Sequence, residues 1–225
     1  MTTAIVTGAG TGLGLELTRA LSARGFTVIA AARDGDRLRT AVAGLPGVRA
    51  VTADVTDADD RQRIVDATDG HLDLLVHNAG ELGPAPLPHL SDYPLDGLRA
   101  VLETTVLGPL GLTRLALPLL RAATAPAVIT LSSDAAVEAY PGWGGYGAAK
   151  AALDRLAAVL AVEEPGVRVW AVDPGDLRTA MHQRAFPGED ISDRPEPATA
   201  VPAFLRLLDE RPPSGRVRAA DLVTA

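Results

Sequence analysis

The chain has no cysteine, and only one of its 21 basic residues, Lys150, is a lysine. Without cysteine, disulfides and thiolate metal sites are excluded. The four histidines, His71, His77, His89 and His182, show no HxxxH or HExxH spacing, so no metal site is expected. No apolar run approaches the roughly 20 residues of a membrane span, and no basic segment precedes an apolar stretch at the amino terminus. Basic stripes are missing too, and the net charge of −7 speaks against a nucleic-acid partner. These absences leave a cytoplasmic chain with no membrane or nucleic-acid partner as the expectation.

What is present is a globular composition, 47% hydrophobic and 22% charged over 225 residues. That length suits one domain, 1–225, whose core buries roughly 70–75% of the unfolded surface. Short apolar runs at 3–8, 26–32, 48–55, 72–80, 125–133 and 167–175 read as buried strands. Amphipathic segments at 12–24, 34–43, 57–68, 95–121 and 146–163 alternate with them, and a helix at 198–210 with a strand at 215–223 closes the pattern. Alternation of this kind predicts an α/β fold, a Rossmann-type doubly wound parallel sheet of about seven strands with helices on both faces. Gly108-Pro109 and Pro118 are expected to kink the 95–121 helix. The stretch 182–197, with three prolines and no periodicity, reads as a mobile loop with one helical turn over the carboxyl ends of the strands, where ligands bind in such sheets.

The turn "VTGAGTGLG" follows the first strand and opens the first helix, where a phosphate-binding turn belongs. The GxGxxG spacing fails because position 13 is leucine, and a P-loop lysine is absent. What fits is T-G-x-x-x-G-x-G, with Thr7, Gly8, Gly12 and Gly14. The second strand ends "IAAARDGD", with Ala32 where an acid would bind free ribose hydroxyls and Arg33 where a 2′-phosphate would be paired. That favours NADP(H). If Asp34 faced the ribose instead, NAD(H) would be possible, and no basic residue in the glycine turn reinforces Arg33.

Tyr146 and Lys150 stand four apart in an alanine-rich helical pattern, on one face. An ammonium about 5 Å from a phenolate, at an effective dielectric near 20, contributes roughly 3 kcal/mol and would draw the phenol towards pKa ~8. The compact ammonium also suits closely spaced sugar hydroxyls better than a guanidinium fork does. Ser133, thirteen residues earlier at a strand's carboxyl end, is placed to donate to a carbonyl that Tyr146 protonates.

With "TGAGTGLG", "ADV" at 53–55, "HNAG" at 77–80, "SS" at 132–133, "YGAAK" at 146–150 and "DPGDLRT" at 173–179, the chain resembles the short-chain dehydrogenase/reductase family over essentially its whole length. The resemblance implies sheet order 3-2-1-4-5-6-7 and a catalytic set of Ser133, Tyr146 and Lys150. Thr105 stands at the position of the family's asparagine, which helps order a water linking the lysine to solvent. It further implies cofactor contacts from Gly8, Thr11, Gly12, Leu13, Gly14 and Arg33, with Asp54 and Val55 at the adenine. Asn78, Ala79 and Gly80 would line the cofactor's edge, Tyr146 and Lys150 its nicotinamide ribose, and Pro174, Gly175, Leu177 and Thr179 its carboxamide pocket.

Leu82, Ala135, Tyr140, Trp143, Met181, His182 and Phe186 are the expected substrate contacts, mostly apolar and without an arginine pair for an acid. The expected activity is NADP(H)-dependent reduction of a carbonyl, or oxidation of an alcohol, on a small hydrophobic or aromatic molecule. A non-redox enzyme on the same fold, an epimerase, dehydratase or cyclase, is the alternative that Thr105 motivates. The alanine-rich face of 148–161 and the family's habit suggest a homodimer or homotetramer.

Overall fold

In the computed structural model, which describes residues 2–223, the apolar runs pair side by side in one parallel sheet. Met1, Thr224 and Ala225 of the expected 1–225 domain lie outside the described residues. The strands are β1 (Thr3–Thr7), β2 (Thr27–Ala32), β3 (Val48–Thr52), β4 (Leu74–His77), β5 (Ala127–Leu131), β6 (Arg168–Asp173) and β7 (Gly215–Arg218). Their order is β3-β2-β1-β4-β5-β6-β7, all neighbours parallel, which is the expected Rossmann-type architecture. Every residue of β1, β4 and β5 is buried, while the edge strands β3 and β7 are largely exposed. Helices on both faces explain why the inner strands carry no polar side.

The helices are α1 (Gly12–Ala23), α2 (Gly35–Ala41), α3 (Ala58–Asp66), α4 (Leu95–Leu102), α5 (Gly108–Ala122), α6 (Gly144–Glu163), α7 (Ala180–Ala185), α8 (Val201–Glu210) and α9 (Ala219–Val223). One core layer joins Leu17 and Leu21 of α1 to Phe204 and Leu207 of α8 and Trp170 of β6. The other joins Ile64 of α3, Leu112 and Leu120 of α5 and Ala157 of α6.

One expectation is corrected. The last strand stops at Arg218, and Ala219–Val223 turns into α9, where alanine and leucine favour a helix over an exposed sheet edge. Gly108-Pro109 distorts the 95–121 helix, as expected, without ending it. Pro109 has no N–H for the carbonyl of Thr105, four residues back, and the backbone instead widens into a π-helical turn over Glu103–Leu107. The resulting Leu95–Ala122 helix is long and apolar enough to cross a membrane by length and composition alone, although half of its most apolar window is buried inside the protein, as in a core helix. The helical turn expected within 182–197 is the end of α7, which spans Ala180–Ala185. Gln183 ties the following turn by donating to the carbonyls of Phe186 and Glu189 at 2.9 and 3.0 Å.

Candidate active site

The sequence motifs fall just past the carboxyl ends of the strands, and there they line one cavity of about 740 Å³. The glycine turn forms its floor. Gly8 and Gly12 adopt φ of +66° and +55°, left-handed values that disfavour other residues. Asn78, beyond β4, braces the turn by donating to the carbonyls of Thr7 and Gly8 at 2.9 and 3.1 Å. Thr11 caps α1 without a side-chain hydrogen bond, and the first turn holds no acidic residue. The orphan N–H groups of that helix end are therefore left for an anion, which fits a pyrophosphate. Gly8, Thr11, Gly12 and Leu13 line the cavity as expected, but Gly14 does not. Its role is close packing, because a Cβ there would lie 2.4 Å from both the Gly8 carbonyl oxygen and Asn78 Nδ2.

Arg33, Asp54 and Val55 line the cavity beyond the ends of β2 and β3, where the adenosine is expected. Asp34 also reaches the wall, but its carboxylate accepts from the backbone N–H of Arg37 at 3.0 Å and so caps α2. Arg37 itself lines this end, a second cation that the sequence reading missed although it stands four residues after Arg33 on the next helix. Across the cleft, Glu81 approaches Arg33 at 3.7 Å and Arg184 of α7 at 3.0 Å.

At the reacting end, β5 delivers Ser133 and α6 presents Tyr146 and Lys150, all three in the cavity wall. Lys150 is buried, donates to the Leu131 carbonyl at 2.6 Å and lies 5.5 Å from the Tyr146 ring centre. Burial lowers its pKa to about 8, with Asp154 and Asp173 acting in the opposite direction. The phenol differs from expectation. Burial pushes the Tyr146 pKa up rather than down, and the charges of Asp134, Asp173 and Asp176 add to that. A hydrogen bond with Ser133 opposes the rise. The lysine alone does not make a phenolate of this tyrosine while carboxylates surround it.

Thr105 is fully buried behind the wall, its hydroxyl accepting from the Glu81 N–H at 3.3 Å, so it does not reach the cavity. The π turn puts Thr104 there instead. Arg216 of β7, also missed, donates to the Ser133 carbonyl at 2.9 Å and pairs with Asp173 and Asp154 at 3.0 and 3.2 Å. Nothing local in the sequence signals a partner 83 residues away.

Ala79 and Gly80 follow Asn78 along the wall, and Pro174, Gly175, Leu177 and Thr179 close it beyond β6. Thr179 also caps α7, accepting from the His182 N–H at 3.1 Å. All seven expected substrate contacts, Leu82, Ala135, Tyr140, Trp143, Met181, His182 and Phe186, line the outer end. Trp143 stacks edge-on to Tyr146 at 5.7 Å and tilts against Phe186 at 5.9 Å, while His182 and Phe186 meet at 4.9 Å. Asp134 and Asp176 share this end and were not foreseen. Among the described residues no group of His, Cys, Asp and Glu is arranged to hold a metal.

Residues 2–190 match the short chain dehydrogenase family. The chain is a short-chain dehydrogenase/reductase. This dehydrogenase/reductase is 39% identical over 188 residues to an uncharacterised oxidoreductase of Mycobacterium tuberculosis, covering 83% of this chain and 73% of that one. It is 33% identical over 202 residues to the L-fucose dehydrogenase of Bos taurus, covering 88% and 72% of the two chains. A short-chain dehydrogenase from Shigella flexneri 2a, solved with NADP, superposes with a TM-score of 0.89 at 29% identity over 97% of each chain. One from Escherichia coli CFT073, solved with NADPH, gives 0.88 at 29% identity over 97% of this chain and 96% of that one.

Proposed function

We propose that this oxidoreductase uses NADP(H) to reduce a carbonyl, or oxidise an alcohol, on a small hydrophobic or aromatic substrate. The observation that carries the reading is the meeting of Ser133, Tyr146 and Lys150 in one cavity whose far end holds an uncapped helix amino terminus, Arg33 and Arg37. Arg33 and Arg37 suit a 2′-phosphate, and Asp34 is engaged in capping α2 rather than offered to a ribose. The NADP and NADPH bound to the related bacterial structures support the same choice. Gly8, Gly12 and the α1 end would hold the pyrophosphate, and Asn78 to Gly80 with Pro174 to Thr179 would flank the nicotinamide.

When bound, the nicotinamide supplies or accepts the hydride. The protein's share is position and protons. Ser133 Oγ, now donating to Asp134 at 2.9 Å, turns to the substrate oxygen, and Tyr146 gives that oxygen its proton. A phenol held above its ordinary pKa keeps its proton until the oxygen becomes basic, so the site favours acid catalysis in the reducing direction. Lys150 places positive charge beneath the ring and supports the developing phenolate. Self-association through α5 and α6 is part of the same reading, since Leu110, Leu115, Val159 and Val162 are exposed on them.

The test is NADPH consumption by wild type and Tyr146→Phe with aromatic and apolar ketones, aldehydes and quinones. Turnover that falls ~100-fold or more in the variant supports the reading. A variant as active as the wild type overturns it.

A further inference from the structure

The outer end of the cavity is mostly apolar and aromatic, yet its polar groups are one-sided. Asp134 and Asp176 reach the wall there, and neither lysine nor arginine does. The cations of the lining are Arg33 and Arg37 at the adenosine end and the buried Lys150. Asp134 accepts from the hydroxyls of Ser133 and Tyr140 at 2.9 and 3.1 Å and from the Ala135 N–H at 2.7 Å, all neutral donors. Asp176 has only distant approaches, His182 at 3.9 Å and Arg194 at 4.0 Å.

A second, independent observation comes from His182. Its side chain is only 10% exposed, and its Nε2 is buried in the wall with no hydrogen-bond partner. Asp176 stands on the Nδ1 side of the ring, which favours the tautomer with its proton there. Nε2 is then a lone pair waiting for a donor. Arg194 Nε, a buried donor without a partner, stands beside Asp176 but outside the cavity lining. The unsatisfied groups of the lining itself are thus acceptors or anions, and the surfaces between them are aromatic.

We propose that the substrate carries a cationic nitrogen that bears a proton, an amine protonated at neutral pH, seated among Tyr140, Trp143, His182 and Phe186 with Asp134 and Asp176 as its counter-charges. Ring faces attract a desolvated cation, and a carboxylate beside them adds charge without a competing partner. A substrate with no donor would leave His182 Nε2 buried and unsatisfied. Sugar hydroxyls would satisfy the acceptors but would bring no positive charge to the two carboxylates, of which Asp134 has only neutral donors and Asp176 only distant cations, so a cation fits better. The proposal rests on the carbonyl-reductase reading for its chemistry, not for its binding.

The decisive comparison uses para-(dimethylaminomethyl)acetophenone and its uncharged isostere para-isobutylacetophenone, with a neutral aldohexose as a third arm. Two readouts are taken on the full-length protein: kcat/KM with NADPH, and calorimetric binding to the NADP⁺-loaded protein. The expected result is a preference of ~tenfold or more for the ammonium ketone, shrinking as salt is raised. The ratio should fall towards one in Asp176→Asn and in Asp134→Asn. A ratio at or below one in the wild type, a ratio unmoved by both substitutions, or preference for the aldohexose overturns the proposal. Tight, charge-selective binding without turnover would uphold the cation site and sink the reductase reading. Equal turnover of both ketones would do the reverse.

Discussion

The carboxylate of Asp34 accepts the Arg37 N–H at 3.0 Å, and this one hydrogen bond separates two neighbours that the sequence alone left in competition for the ribose. Asp34 belongs to the helix cap, and Arg33 is left beside the cavity with a side chain 61% exposed. Replacing Arg33 by alanine should weaken NADPH binding ~10–100-fold, the value of a charge-assisted contact to phosphate, and change NADH binding by less than ~3-fold. Asp34→Ala should instead cost about 1 kcal/mol of stability through the lost cap, lowering Tm by ~2–4 °C. Titration of both cofactors against both variants checks the assignment. A switch to NADH in the Asp34 variant would contradict it.

The buried lysine sets an alkaline limit. Burial brings Lys150 to about pKa 8, so its ammonium is present below that pH and is lost as pH rises through it. In the cofactor-free protein, NADPH affinity should therefore decline along a limb centred near pH 8, read by equilibrium titration. Lys150→Arg keeps its charge at every accessible pH, so the limb should vanish. Turnover in that variant should still fall by ~100-fold or more, because the fork does not fit beneath Tyr146. A limb that survives the substitution would assign it to another group.

What could be read in advance, and what could not, divides along range. The strand pattern, the glycine turn and the Ser-Tyr-Lys spacing are local, and local order fixes them once the sheet is parallel. The wall residues that were missed depend on distance. Arg216 acts on Ser133 across 83 positions, and Asp134 and Asp176, which follow β5 and β6, matter only because the parallel sheet brings both strand ends against Tyr146 of α6. Thr105 was placed by counting residues, but the π turn rotates the count and presents Thr104. Likewise the phenol's pKa was argued from its lysine alone, and burial in the folded protein, with three carboxylates adding to it, reversed the sign.

His77 ends β4 wholly inside the protein, its Nε2 2.8 Å from the Thr113 hydroxyl. Burial lowers its pKa to about 3. The unfolded chain takes up a proton near pH 6.5 while the folded chain does not until about pH 3, so the unfolded state binds more protons between those values. Stability from this residue is therefore full above pH 6.5 and is lost on acidification, by up to ~1.4 kcal/mol per pH unit. Urea midpoints measured from neutral pH down to ~5 should drop in the wild type and drop less in His77→Asn, whose amide can still meet Thr113. Parallel curves for the two proteins would place the acid sensitivity elsewhere.

Glu81 links two functions that the cofactor and substrate need separately. It approaches Arg33 at 3.7 Å on the cofactor side and Arg184 of α7 at 3.0 Å on the substrate side. Both arginines are more than half exposed, so each pair contributes at most ~1 kcal/mol and is weakened by salt. A 2′-phosphate and Glu81 compete for the same guanidinium, which means that Glu81→Gln should release Arg33 and tighten NADPH binding up to ~5-fold. The same substitution unfastens α7 from the end of β4, and the aromatic wall that α7 carries should then hold substrate less well. KM for the ketone is expected to rise by a few-fold, ~2–5, while NADPH Kd falls. Opposite movements of the two constants are the signature of one carboxylate shared between two arginines. If both constants rise together, Glu81 is simply a structural support of the cleft.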